Sequence, residues 1–357
     1  MLLVVGMHRS GTSLLTQLLH HLGADLGDAL LPAEAGVNDR GFWEHQEVVA
    51  IDEALLEALD HPWYDFRPLP PNWLQAPEVS ALLPRAEALL QTGLGRGPLA
   101  AIKDPRLCLL LPFWEQAACA AGWTPKVILA GRHPDEVAAS LMRRDPMGAA
   151  TALLLWLRYG REAESASRHL PRAVVDYGAL LEDAPAILAR LGRTLALTWS
   201  KSPDEAAAEA VAPELRHQRG LLEEGPAALL DLARWAHEAL GAERWDDLAD
   251  CWARFDTLFA PLPWAEAALA EESRRSFDLS GELHRLGREH GHALETLRRR
   301  DAQLDRRTRE WEALGKDLEH CRSVVTERDE QLRLLNAEHQ RIIQHPMVRL
   351  ARKLFRF

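Results

Sequence analysis

The stretch Met1-Leu2-Leu3-Val4-Val5-Gly6-Met7-His8-Arg9-Ser10-Gly11-Thr12-Ser13 opens the chain, and its reading decides the fold. Residues 1–6 are a short apolar run containing β-branched side chains. Leu14, Leu15, Leu18, Leu19 and Leu22 then recur at helical spacing. The pattern predicts strand, loop, helix. In that setting the backbone N–H groups of the loop converge on an anion at a helix N-terminus, and Gly6 and Gly11 admit oxygen atoms that a Cβ would exclude. His8, Arg9, Ser10, Gly11, Thr12 and Ser13 are therefore candidate phosphate-binding residues. The alternative is an ordinary turn capped by Ser10 or Thr12.

Working outward, two similar units follow. Residues 99–103 lead into Asp104-Pro105-Arg106 and a Leu-rich segment, and residues 126–130 lead into GRHPDEVAASLMRR. A fourth short strand is expected at 172–175 and a helix at 185–197, while 204–269 is Ala- and Leu-rich with helical periodicity. Strands alternating with helices imply a parallel sheet covered on both faces.

The composition changes near Ala270. Beyond it Leu297, Leu304, Trp311, Leu318, Val325 and Leu332 recur every seven residues, with Leu314, Cys321, Leu335 and Ile342 three residues on. Arg300, Arg307 and Arg328 interrupt the second seam. A coiled coil that joins copies of the chain, or joins it to a partner protein, is expected over 271–345; a single solvated helix is the alternative. Residues 347–357 combine four cationic side chains with Leu350, Leu354, Phe355 and Phe357. Such a basic amphipathic tail suits peripheral contact with an anionic membrane face, and a frayed or partner-packed terminus is the other reading.

The chain has 357 residues, 47% hydrophobic and 27% charged, which suits one sizeable core with an appendage. No run approaches the roughly 18 apolar residues of a membrane span, and no export signal is read at the start. Cys108, Cys119, Cys251 and Cys321 form no C-x-x-C pair, so no metal site and no disulfide framework is expected, which fits a cytoplasmic location. A formal net charge of −11 argues against nucleic acid as a partner.

Nucleotide triphosphatases place a lysine directly after the second loop glycine and then a hydroxyl for magnesium. Here Thr12 holds that position and the positive charge sits at Arg9. The loop HRSGTS resembles that of the sulfotransferase family that uses 3′-phosphoadenosine 5′-phosphosulfate, which usually has lysine where this chain has Arg9. In VILAGRHPDEVAASL, Arg132 at a strand end and Ser140 on the next helix resemble the family's 3′-phosphate site. The resemblance covers residues 1–200, including VVDYGALLEDAPAIL, and is nearest to bacterial members with GMHRSGTS, GFWEH and KDPR segments. It implies an α/β P-loop three-layer fold with a central parallel sheet; the helical segment and C-terminal coiled coil that follow are expected from periodicity alone. The organisation expected is a domain over 1–270, with the nucleotide motifs within 1–200 and helices over 201–270, then the coiled coil of 271–345 and the tail of 346–357.

The resemblance further implies sulfuryl transfer from that donor to a hydroxyl or amine, with a saccharide or glycolipid as the expected acceptor. Arg9 would then face the oxygen on which charge grows as the sulfuryl group leaves. The acceptor must lose a proton, so a general base is needed. In Gly41-Phe42-Trp43-Glu44-His45, aromatic neighbours would raise the pKa of Glu44, and His45 is the second candidate. Glu44 as a helix cap is the alternative. Lys103, Asp104 and Arg106 lie at a strand's carboxyl end, where they suit an acceptor or a sulfonate oxygen, or simply a structural ion pair. Trp156 and Tyr159 suit either stacking on a ligand or the core. A P-loop nucleotide kinase and a non-catalytic coiled-coil assembly protein are the competing functions.

Overall fold

The computed structural model describes residues 1–33, 41–94, 97–211, 222, 225–259, 263–346 and 348. Four strands, β1 (Leu2–Val5), β2 (Ala101–Lys103), β3 (Lys126–Gly131) and β4 (Arg172–Asp176), form one all-parallel sheet in the order β2-β1-β3-β4. Leu3 of β1 pairs with Ile102 on one side and with Val127 on the other. Each strand falls where the apolar runs place one.

The helices are α1 (Thr12–His21), α2 (Gln46–Ala58), α3 (Pro77–Ser80), α4 (Leu83–Ala88), α5 (Leu107–Ala120), α6 (Pro134–Arg144), α7 (Ala149–Ser167), α8 (Tyr177–Glu182), α9 (Ala184–Thr194), α10 (Pro203–Ala210), α11 (Ala227–Gly241), α12 (Trp245–Phe259) and α13 (Pro263–Gln344). Successive side chains of β1 point to opposite faces, as strand geometry requires. Leu2 and Val4 join the apolar cluster of α1, α8, α9 and α10, and Leu3 and Val5 join that of α2, α5, α7, α11 and α12. With both faces covered, the strand reads as an unbroken apolar run. Each fully buried leucine contributes roughly 1.5–3 kcal/mol. The result is three layers, helix on sheet on helix.

The chain divides into two compact units, Met1–Ser280 and Gly281–Phe357. The first includes the opening of α13, which composition alone assigns to the appendage. Phe277 stacks on Tyr64 at 3.9 Å between ring centroids and meets Trp63 edge-on at 5.4 Å, while Arg274 pairs with Asp60 at 3.3 Å. In the second unit α13 continues as a helix whose Leu297, Leu304, Trp311, Leu318, Val325 and Leu332 are all more than half exposed. No described helix is long and apolar enough to cross a membrane. The basic tail lies almost wholly outside the described residues.

Candidate functional site

The carboxyl ends of all four strands point the chain toward one edge, where ligand-contacting residues of parallel sheets gather. β1 runs into the glycine loop, β2 ends at Lys103, β3 delivers Arg132, and β4 ends at Asp176 beside Tyr177. Gly11 caps α1 at φ 80° with no side-chain cap, leaving the first turn to take an external anion. Its missing Cβ matters twice, because an added one would lie 2.0 Å from the Tyr177 ring. Gly6 is equally constrained, since a Cβ there would sit 2.7 Å from the Ala130 carbonyl oxygen.

Arg9 adopts φ 70°, a left-handed conformation that costs a non-glycine residue on the order of 1–3 kcal/mol and persists only where the surroundings enforce it. Two partners do so. The Arg9 carbonyl accepts from Arg132 Nη1 at 3.0 Å, and Arg9 Nε donates to Ser140 Oγ at 2.8 Å. Burial first, and then Arg144 and Arg132 nearby, hold the Arg9 guanidinium below its ordinary range. Arg132 also donates through Nε to Glu136 at 2.8 Å and lies 4.6 Å from the centre of the Tyr177 ring. Arg9, Arg132 and Ser140, from three separate segments, thus meet at the mouth of the loop. Ser10 and Thr12 are buried beneath it.

His8 packs against Trp63 at 4.4 Å, and its Nε2 is enclosed without a hydrogen-bond partner. Burial, followed by the charges of Arg144, Arg106, Lys103 and Arg9, drives its pKa well down, so the ring is neutral. The neutral imidazole therefore adds no charge of its own to the loop.

Lys103 organises the neighbouring segment. Its ammonium is buried at 3% exposure and donates to Glu44 Oε1 at 2.5 Å, the Phe42 carbonyl at 3.0 Å and Ser13 Oγ at 3.2 Å, using all three of its protons. Ser13 Oγ in turn donates to the same carbonyl at 3.1 Å. Gly41 and Trp43 take positive φ of 88° and 58°, and this kinked backbone turns Glu44 inward. Burial raises the pKa of Glu44 while Lys103 opposes the shift. The helix cap here is His45, whose Nδ1 accepts the Glu47 N–H at 3.2 Å at the start of α2. Glu44 therefore belongs with Lys103 and the loop, and His45 is engaged at the helix end.

Asp104 and Arg106 form an ion pair at 2.8 Å, and Arg106 extends to Glu53 at 3.1 Å. Asp52, fully buried, accepts from Trp114 Nε1 at 2.7 Å, and burial and then Asp104 push its pKa well up. Trp156 and Tyr159 are core residues, one donating to the Arg132 carbonyl at 3.2 Å and the other to the Trp63 carbonyl at 2.6 Å. Tyr177 and Glu136 were not among the sequence candidates, whereas Trp63, with Tyr64 and Trp73, was expected to suit either stacking on a sugar ring or a loop core. Of the first two, Tyr177 carried a signal, since it directly follows a strand's carboxyl end.

No family model matches the chain, and no curated protein matches it. Among solved structures it is similar to the sulfotransferase domain from the Synechococcus PCC 7002 olefin synthase, at 20% identity and a TM-score of 0.38, over 66% of this chain and 86% of that one. It is also similar to the sulfotransferase domain from the curacin biosynthetic pathway, at 16% identity and a TM-score of 0.33, over 66% of this chain and 89% of that one.

Proposed function

We propose that the chain transfers a sulfuryl group from 3′-phosphoadenosine 5′-phosphosulfate to a hydroxyl or amine of a saccharide or glycolipid. The observation that carries this reading is the meeting of Arg9, Arg132 and Ser140 at a glycine-capped helix start, in a chain whose overall charge is −11. The loop would hold the 5′-phosphosulfate, with Arg132 and Ser140 on the 3′-phosphate. When bound, the donor supplies a sulfuryl group whose S–O bond breaks with its electron pair leaving on the phosphate oxygen. Arg9 stabilises that growing charge and, as a guanidinium, keeps its own proton. Glu44 takes the proton that the acceptor loses as its oxygen or nitrogen bonds to sulfur. Oε1 of Glu44 is held by Lys103, and Oε2 has no hydrogen-bond partner among the described residues. A nucleotide kinase is disfavoured because Thr12 stands where its lysine is needed.

The 3′-phosphate provides the direct test. The protein is expected to bind 3′,5′-phosphoadenosine roughly ten- to a hundredfold more tightly than 5′-AMP, the scale of one lost charge-assisted contact at about 1.5–3 kcal/mol. Equal calorimetric affinities would sink the assignment.

The heptad stripe of the second unit is read here as the seam of a coiled coil between copies of this chain. A single helix exposing such a stripe is unlike a stable solvated one, which is polar all round. Sedimentation equilibrium should find an oligomer that Leu304→Asp together with Leu318→Asp dissociates; a monomeric wild type would end this reading. We place the protein in the cytoplasm, with the 347–357 tail available for the inner membrane face.

A further inference from the structure

Beside the loop, on the far side of Trp63, lies a pocket of about 380 Å³ between α2, the 60–64 segment and the opening of α13. That volume is within the range of ~300–1,000 Å³ typical of small-molecule sites. Among the described residues, four carboxylates line it against two guanidiniums. Arg106 is matched by Glu53 and Arg274 by Asp60. Glu57 and Asp278 remain, with no ion-pair partner among the described residues, facing one pocket from two different helices.

A second observation is independent of these charges. His61 lines the same pocket at 3% exposure, and its Nε2 has no hydrogen-bond partner. Burial keeps the ring neutral, and the Asp65 carboxylate 3.8 Å from Nδ1 favours the tautomer with its proton on that side. Nε2 is therefore a lone pair awaiting a donor. Glu57, Asp278 and His61 Nε2 all present acceptors to the pocket. Trp63 and Tyr64 add aromatic surface, which attracts cations and packs on the apolar faces of sugar rings.

We propose that this pocket seats the acceptor and selects one that carries a protonated amine on a hydroxyl-rich frame, an amino sugar in chemical class. The inference rests on the sulfotransferase reading, since it is that reading which makes the pocket beside the loop an acceptor site. The ammonium lies between Glu57 and Asp278, its neighbouring hydroxyl donates to His61 Nε2, and the ring rests on Trp63. An anionic acceptor is repelled by the same groups. Trp63 also touches His8 of the loop at 4.4 Å between centroids, so a ring held there is one side chain away from the transfer site.

The test titrates the full chain, saturated with 3′,5′-phosphoadenosine, with glucosamine, N-acetylglucosamine and glucuronate, read by saturation-transfer NMR. Glucosamine is expected to bind at least tenfold more tightly than the N-acetyl form, with glucuronate weakest. Glu57→Gln with Asp278→Asn should erase that preference while leaving nucleotide affinity and the thermal midpoint unchanged, because both side chains are exposed and unpaired. His61→Phe should weaken all three hydroxyl-bearing probes alike. No preference for the amine, or a preference that survives the paired substitution, overturns the proposal. If the amine preference and its loss on substitution appear but the protein binds no 3′,5′-phosphoadenosine, the pocket's cation selectivity stands and the sulfotransferase reading fails.

Discussion

Arg9→Ala is expected to lower turnover by roughly 10²–10³-fold while changing the donor dissociation constant only a few-fold, because its charge matters most where negative charge develops. The structure sharpens this expectation. Alanine keeps the carbonyl that accepts from Arg132 at 3.0 Å, so the loop retains one of its two anchors. The guanidinium is lost, and with it the bond to Ser140. Arg132→Ala should show the reverse pattern, with donor affinity falling more than turnover. Pre-steady-state rates and calorimetric affinities on the two variants decide the matter. If both variants weaken donor binding equally and leave turnover intact, Arg9 is a binding residue and the electrostatic role given to it is wrong.

Glu44→Gln is expected to cost a hundredfold or more in transfer rate, about the scale of a lost general base. A substitution at this position has a structural consequence that the isolated sequence did not reveal. Glutamine would leave the Lys103 ammonium, 3% exposed, facing a neutral amide, and breaking a buried pair in this way costs about 3–5 kcal/mol. The rate must therefore also be measured in Glu44→Gln with Lys103→Met, where no unpaired charge remains. A rate that stays low in the double variant, at a recovered thermal midpoint, assigns the proton to Glu44. A rate that recovers with stability makes the carboxylate a structural partner of Lys103. The pH profile gives a separate reading. Burial raises the Glu44 pKa, and a general base works when deprotonated, so wild-type turnover should climb with pH through a point above the ordinary carboxylate range. That rise should vanish in Glu44→Gln.

His45 illustrates what spacing alone leaves open. Glu44 and His45 are adjacent, and either could have faced a ligand or capped α2. Left-handed backbone at Gly41 and Trp43 settles their directions, since it turns the carboxylate toward Lys103 and leaves the imidazole accepting from Glu47. Lys103, Asp104 and Arg106 were expected as a group at a strand end, and the fold splits them between two networks. Lys103 joins the loop and Glu44, whereas Asp104 and Arg106 form an ion pair that reaches Glu53. Trp156 and Tyr159 lie on α7 at a spacing that serves core and cleft equally, and their burial places them in the core.

The four strands, the glycine loop and the long C-terminal helix were all legible in the chain itself. Each arises from interactions local in sequence, namely apolar runs, helical or heptad periodicity, and glycines where the backbone must turn. Tertiary structure alone decided which of these residues face one another. Arg9 meets Ser140 across 131 positions, Lys103 meets Glu44 across 59, and Arg274 meets Asp60 across 214. The last of these draws the opening of α13 onto the first unit and completes the acidic pocket, although composition there already reads as coiled coil. Contacts between such distant positions leave no periodic trace, because they are set by the packing of finished elements rather than by the preferences of any one of them.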